Sequence, residues 1–301
     1  MSKLINWLSE RRLLTIILVA AYFVPNVLCH DLVQNLSVKI EGMLSLPVYE
    51  IALSSLGIVT LAILSWLTFL KLKDGPRKLL KATYWSLTVV LVVVSSNTIM
   101  AKDIEMVHFP QYAILTLPFF ALTRRFGETA AWVTLLGAVD EGYQYLVLHR
   151  GWVGIYDFGD VVLNLIGAGI GVVLILSLVH VNPASNPVSS YSFRNLIKSP
   201  ALLITAGLII CGILLYVTGV MQLYPGEKAS PARIYLNRGA APAQFWLRPA
   251  TLRKTFHIVS PGEGILLVVI LLAVYVIMDF KVELKYRERS SVVDVLSSKN
   301  Q

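Results

Sequence analysis

Eight apolar stretches dominate this chain: Leu13–Cys29, Val48–Leu70, Ala82–Met100, Val107–Leu122, Ala130–Leu148, Phe158–Val181, Ala201–Met221 and Gly264–Phe280. A helix that crosses a bilayer needs about 20 mostly apolar residues. In lipid, every backbone N–H and C=O must be satisfied within the protein, which leaves helices and closed barrels as spanning structures. The β-branched run Val89–Val94 would suit a strand, but its flanks extend the apolar stretch to helix length. With 56% hydrophobic and 15% charged residues, and a mean hydropathy of +0.68, a water-soluble globule is excluded. The expected fold is all-α: a polytopic membrane protein of about eight transmembrane helices.

Loop charges predict the orientation. Alternate connections carry Lys3, Arg11 and Arg12, then Lys71, Lys73, Arg77, Lys78 and Lys81, then Arg124 and Arg125, then Arg194 and Lys198, and finally Lys281, Lys285, Arg287, Arg289 and Lys299. The first three opposite loops carry one basic residue each: Lys39, Lys102 and Arg150. The positive-inside rule then places both termini in the cytoplasm of a cell membrane. The last outer loop, 222–263, is basic too, with Lys228, Arg233, Arg238, Arg248, Arg253 and Lys254. The rule weakens for long loops such as this one. No small-residue cleavage pattern follows the first apolar run, so Leu13–Cys29 is expected to be a retained anchor. Cys29 and Cys211 are expected to be ordinary buried thiols. The net charge of +8 is mostly inside bias, and no interleaved aromatic and basic tract suggests nucleic acid.

The expected organisation is uneven. An anchor helix and outer loop occupy 1–47. A five-helix core follows over 48–181, then a Ser-, Pro- and Asn-rich cytoplasmic linker over 182–200. Two further spans over 201–280 flank the long loop 222–263, and 281–301 forms a mixed-charge cytoplasmic tail with little expected order. Five prolines in that loop exclude a long helix. Its aromatic and basic segment Gln244–Arg248 with Arg253 and Lys254 fits an interfacial loop lying on headgroups, or a lid over a site.

Almost all the intramembrane polarity lies in the five-helix core. Asp140 and Glu141 fall inside an apolar run, where a charge costs about 2.5–3.5 kcal/mol even on the lenient insertion scale. Under the expected topology, Glu105, His108, Tyr112, Asp140, Glu141, Gln144, Arg150, Asp157, Asp160 and Asn164 all approach the same side of the membrane. Helical spacing sharpens this. Glu105, His108 and Tyr112 stand at i, i+3 and i+7, and Asp157, Asp160 and Asn164 repeat that spacing. Gly137 lies one turn below Glu141, and Gly167 and Gly171 form a small-xxx-small pair that lets helices approach closely. Taken singly, His108 fits a hydrogen-bonded interfacial histidine, Arg150 a snorkelling helix end, and Asp157 with Asp160 a favourable pairing with a helix dipole. Two adjacent acids deep in a span have no such explanation, and the set as a whole is expected to be a functional site.

Three chemistries suit the set. Carboxylates with a histidine provide general acid–base catalysis, with Arg150 holding the anion of a lipid-linked phosphate. The same ligands suit a divalent metal. A buried carboxylate pair also suits proton-coupled transport, because low dielectric and like charge favour the protonated form. The sequence leaves these open, and with them any cofactor. Cys clusters, Gly-rich phosphate loops and nucleophile motifs are missing.

The pattern Glu105-x-x-His108-x-x-Gln111-Tyr112, then Gly137-Ala138-Val139-Asp140-Glu141-x-x-Gln144, then Arg150, then Asp157-x-x-Asp160-x-x-x-Asn164-x-x-Gly167-x-x-x-Gly171, resembles the VanZ-like family of bacterial membrane proteins. The resemblance covers about 48–181. It implies a place in the bacterial cytoplasmic membrane and a role in cell-envelope function or in the response to glycopeptide antibiotics such as teicoplanin. It implies no particular reaction. On this reading His108, Glu141 and Asp160 are the candidate catalytic residues. Glu105, Tyr112, Asp140, Gln144, Arg150, Asp157 and Asn164 are the candidate substrate-binding residues, and Gly137, Gly167 and Gly171 serve helix packing. The expected partners are membrane lipids and an anionic lipid or cell-wall precursor. A proton-coupled transporter or flippase and a non-catalytic scaffold are the alternatives.

Overall fold

The computed structural model describes residues 1–73, 78–148, 155–178, 198–225, 233–238, 244–248 and 254–298. Among these, the apolar runs are all helical. The helices are α1 (Ser2–Glu10), α2 (Arg12–Leu28), α3 (His30–Leu44), α4 (Leu46–Lys73), α5 (Lys78–Thr98), α6 (His108–Thr123), α7 (Phe126–Tyr143), α8 (Phe158–Leu178), α9 (Pro200–Val217) and α10 (Pro261–Ser298). A 3-10 turn over Asp103–Val107 leads into α6, and a π turn over Gln144–Leu148 extends α7.

Five helices are long and apolar enough to cross a membrane: α4, α5, α8, α9 and the Pro261–Val282 part of α10. α1 and α2, bent by 106° at Arg11, would make a sixth if taken as one span. The eight-span expectation also counted α2, α6 and α7. α6 has 16 residues and α2 has 17, while α7 carries Glu128, Asp140 and Glu141. Length and acidity thus separate these three from the plain spans.

The centre of the molecule is α8. Its sequence is apolar all round, as a fully enclosed helix requires, and nearly every residue from Val161 to Ser177 is buried. α4, α5, α6, α7 and α10 pack around it. Small residues make this possible. A Cβ at Gly167 would stand 2.8 Å from the carbonyl oxygen of His108 and 2.9 Å from that of Phe109. One at Gly171 would meet the Ala113 carbonyl oxygen and the Thr116 Cβ, both at 2.6 Å. The same test at Gly137 on α7 meets Asn164 of α8 at 2.7 Å. The three glycines thus sit where helices touch. Gly169 receives the Tyr275 ring of α10 on another face of α8.

α4 and α9 lie at the periphery, with little of their length buried. Their large apolar residues, such as Ile51, Ile58, Leu208 and Leu214, face outward, as helices against lipid do. Cys29 and Cys211 are exposed. This corrects the expectation of buried thiols, because α2 and α9 are peripheral too.

Two other expectations change. The outer loop after the anchor contains α3, whose residues from His30 to Glu41 include neither Gly nor Pro to break a helix. It ends at Ser45, which takes a positive φ of 66°. The C-terminal tail continues α10 to Ser298. The linker expected at 182–200 lies almost wholly outside the described residues.

The described parts of the 222–263 loop lie on one end of the bundle. β1 (Met221–Gln222) pairs in parallel with β2 (Ile234–Tyr235). The Tyr156 N–H donates to the Leu236 carbonyl at 2.8 Å, and His257 N–H donates to Thr98 at 2.7 Å. The Tyr145 hydroxyl donates to the Tyr235 carbonyl, and the Arg238 guanidinium stacks over the Tyr145 ring at 4.2 Å. The aromatic tip stays outside, with Phe245 and Trp246 exposed.

Candidate functional site

The start of α6, the end of α7 and the start of α8 meet beneath this loop. Each contributes polar side chains because a turn or cap places them there. Glu105 accepts from its own turn, from the Ala101 N–H at 2.9 Å and the Lys102 N–H at 3.1 Å. Asp157 caps α8, accepting from the Gly159 N–H at 2.7 Å and the Asp160 N–H at 3.3 Å. Both are anchoring carboxylates first, and their charge acts on what lies inside.

Inside lies a buried network. The Tyr112 hydroxyl donates to Asp140 Oδ2 at 2.9 Å. Gln144 Nε2 donates to Glu141 Oε1 at 3.1 Å and to Asp140 Oδ1 at 3.4 Å. Asp140 and Glu141 are successive residues on a helix, and Gln144, three and four residues on, bridges both. His108 Nε2 lies 3.6 Å from Asp160 Oδ2, joining α6 to α8. Asp140, Glu141, His108, Tyr112 and Asn164 are all buried. Asp140, Asp157 and Asp160 are near enough to act electrostatically on Glu141, and Glu105 is near enough to act on Asp160.

Two buried groups stand out. His108 Nδ1 and both amide atoms of Asn164 have no hydrogen-bond partner among the described residues. Asn164 lies beside His108 and is held by its close contact with Gly137. Buried polar atoms are nearly always satisfied. The two belong to α8 and α6 and are near enough to interact with each other.

At the rim, burial and the neighbouring charge of Asp157 push the Glu105 carboxyl up to about 7. Burial also raises Asp157, against the opposing pull of the N–H groups of Asp160 and Gly159. In both cases desolvation of the charged form outweighs the hydrogen bonds that favour it. Among the described residues, no three His, Cys, Asp or Glu side chains are arranged to hold a metal ion.

Nine of the ten candidate site residues therefore converge at one end of α6, α7 and α8. Arg150, expected to hold the anion of a lipid-linked phosphate, lies outside the described residues. The structure adds groups that the sequence reading missed. His30, at the start of α3, acts electrostatically on both His108 and Asp140. Lys254 of the loop does the same to Glu105, and the Tyr156 hydroxyl donates to Ala138 at 3.0 Å. Spacing could not reveal these, because each arrives from a separate element. At the opposite end lies Asp279, which no sequence motif singles out. It is buried and accepts from the Phe126 N–H at 2.7 Å and the Gly127 N–H at 2.9 Å, so a carboxylate on α10 caps α7. Compared with protein-family models, curated proteins and solved structures, the chain has no match.

Proposed function

We propose that this chain is a VanZ-like protein of the bacterial cytoplasmic membrane. In this reading its eight apolar helical segments cross the membrane, both termini are cytoplasmic, and the carboxylate–histidine site faces outward. The site acts by general acid–base chemistry on an anionic lipid or lipid-linked cell-wall precursor, serving envelope function or glycopeptide response. The observation that supports this is the convergence, at one end of α6, α7 and α8, of the His108–Asp160 pair and the bonded set Tyr112–Asp140–Gln144–Glu141. His108, Glu141 and Asp160 are its proton-handling groups. Tyr112 and Gln144 hold Asp140, and Asn164 positions the polar atom that His108 meets. Arg238 of the overlying loop lies over Tyr145 at the same end of the bundle, where an anionic headgroup would sit, while the carboxylates beneath handle protons.

A second reading is favoured by one observation. Glu105, Asp140, Asp157 and Asp160 lie within electrostatic reach of one another or of Glu141, a composition suited to binding protons. Such a set fits a proton-coupled transporter or flippase.

The experiment is substitution with paired readouts. Glu141→Gln, His108→Ala and Asp160→Asn should each abolish the teicoplanin or envelope phenotype at normal membrane level. On a background lacking Cys29, cysteine at Lys102, but not at Gly127, should react with an impermeant thiol reagent from outside. Variants with normal phenotype would reduce the network to a helix-holding device. Flux in liposomes driven by a pH gradient would favour the second reading over the first.

A further inference from the structure

A cleft of about 340 Å³ opens between α4 and the Asp103–Val107 turn, lined by Glu50, Ile51, Ser54, Ile58, Asp103 and Lys254, with Ser55 at its edge. Its volume is within the range of about 300–1,000 Å³ found for small-ligand sites. We propose that it binds the headgroup of an amine-bearing phospholipid, with the acyl chains lying along α4.

The α4 residues at i, i+1, i+4, i+5 and i+8 form one face of that helix. Glu50 stands in its first turns and Ile58 two turns further along, about 12 Å away at 1.5 Å per residue. The polar groups thus gather near the helix end and the aliphatic ones lie further along, the order in which a lipid presents its headgroup and chains. Ile51 and Ile58 are 66% and 67% exposed, on a helix that packs little of its length against protein. Beside the cleft, α4 seats Gly57 against Met106 of the turn, where a Cβ would come within 2.9 Å of the sulfur.

The charges select the headgroup. Asp103 accepts from the Lys254 ammonium at 2.8 Å and from the Ser54 hydroxyl at 2.6 Å. Lys254 also donates to the Ser96 carbonyl at 3.3 Å, which leaves the third N–H of its ammonium for a phosphate oxygen. Glu50 has no hydrogen-bond or ion-pair partner among the described residues. Two carboxylates and one ammonium leave the cleft one negative charge. It therefore disfavours a purely anionic headgroup and offers Glu50 to a primary ammonium, with Lys254 and Ser55 for the phosphate. A quaternary amine has no N–H to donate and fits less well. The cleft adjoins the buried carboxylate network, since Lys254 also acts on Glu105, but its lining residues are not part of that network, and it stands whether or not the network is catalytic.

The test uses the full chain in nanodiscs containing equal amounts of phosphatidylethanolamine, phosphatidylcholine and phosphatidylglycerol, followed by detergent extraction and mass spectrometry of retained lipid. The expected result is enrichment of phosphatidylethanolamine over both others. Glu50→Gln should lower that enrichment about tenfold, the size of one charge-assisted hydrogen bond, and Glu50→Lys should shift retention toward phosphatidylglycerol. Glu141→Gln should leave the enrichment of phosphatidylethanolamine over phosphatidylcholine unchanged. Equal retention of the three lipids by the wild-type chain, or undiminished enrichment in Glu50→Gln, overturns the proposal. Loss of enrichment in Glu141→Gln also overturns it, by moving the lipid to the buried network.

Discussion

Gly167→Ala adds one methyl group where α8 touches α6, and the structure sets its consequence. The new Cβ would stand 2.8 Å from the His108 carbonyl oxygen, 2.9 Å from that of Phe109 and 3.1 Å from the Phe109 Cα. Carbon–oxygen contacts between packed helices normally lie at about 3.3–3.6 Å, so the two helices must part by roughly half an ångström. All three obstructing atoms are backbone, and no side-chain rotation relieves them. Overpacking of this kind costs about 1–3 kcal/mol. Alanine also favours a helix over glycine by about 1 kcal/mol, and that gain has to be subtracted. Gly212→Ala supplies the correction, because nothing lies within 4 Å of a Cβ at Gly212 on α9. Helix propensity cancels between the two variants, so the difference in unfolding free energy should be about 1–3 kcal/mol against Gly167→Ala. Denaturant unfolding of both purified proteins in the same detergent measures it. Equal stability of the two variants would refute the close approach of α6 and α8. A further consequence is local. The displaced carbonyl belongs to His108, whose imidazole lies 3.6 Å from Asp160, so Gly167→Ala should also impair the site.

Two other substitutions test the ends of the bundle. Asp279→Ala leaves the Phe126 and Gly127 N–H groups without their acceptors and should cost about 1–3 kcal/mol, with Asp279→Asn intermediate; thermal unfolding that matches wild type would remove the interhelical cap. Glu105 provides a pH signature. Its carboxyl rises from 4.5 to about 7 on folding, so the folded state holds the proton more tightly. Its contribution to stability is present below pH 4.5 and lost as pH rises through 7. The ceiling is about 3 kcal/mol, and partial solvent access keeps the effect below it. Glu105→Gln should flatten the fall in stability between pH 5 and 8 relative to wild type, and an unchanged slope would contradict the burial of that carboxyl.

Much of the helical framework was legible because lipid imposes a length and a composition that the sequence displays directly. The His108–Tyr112 part of the stripe was legible for a similar reason, since helical periodicity fixes which side chains share a face, whereas Glu105 falls on the 3-10 turn ahead of α6. The glycines at 137, 167 and 171 were readable as contact points, but their partners were not. Asn164, the His108 carbonyl and Thr116 are chosen by how three helices cross, and no local pattern records that. α3 was missed because its polar residues read as a loop, and the continuation of α10 because a mixed-charge tail carries no apolar periodicity.

The least legible residues are those that couple elements far apart in the chain. Asp279 belongs to no motif in the sequence, yet it satisfies two backbone donors of α7 some 150 residues away. His30 and Lys254 reach the site from α3 and the last loop. The physical reason is the same in each case. A buried charge or an uncapped helix end creates a demand visible in the sequence, whereas the group that meets it is set by the tertiary fold. Asp140 and Glu141 announced such a demand, and Tyr112 and Gln144 answer part of it. His108 and Asn164, both buried and near enough to interact, answer another only in part. Such a demand can be read from one helix alone, and its answer only from the way α6, α7 and α8 cross.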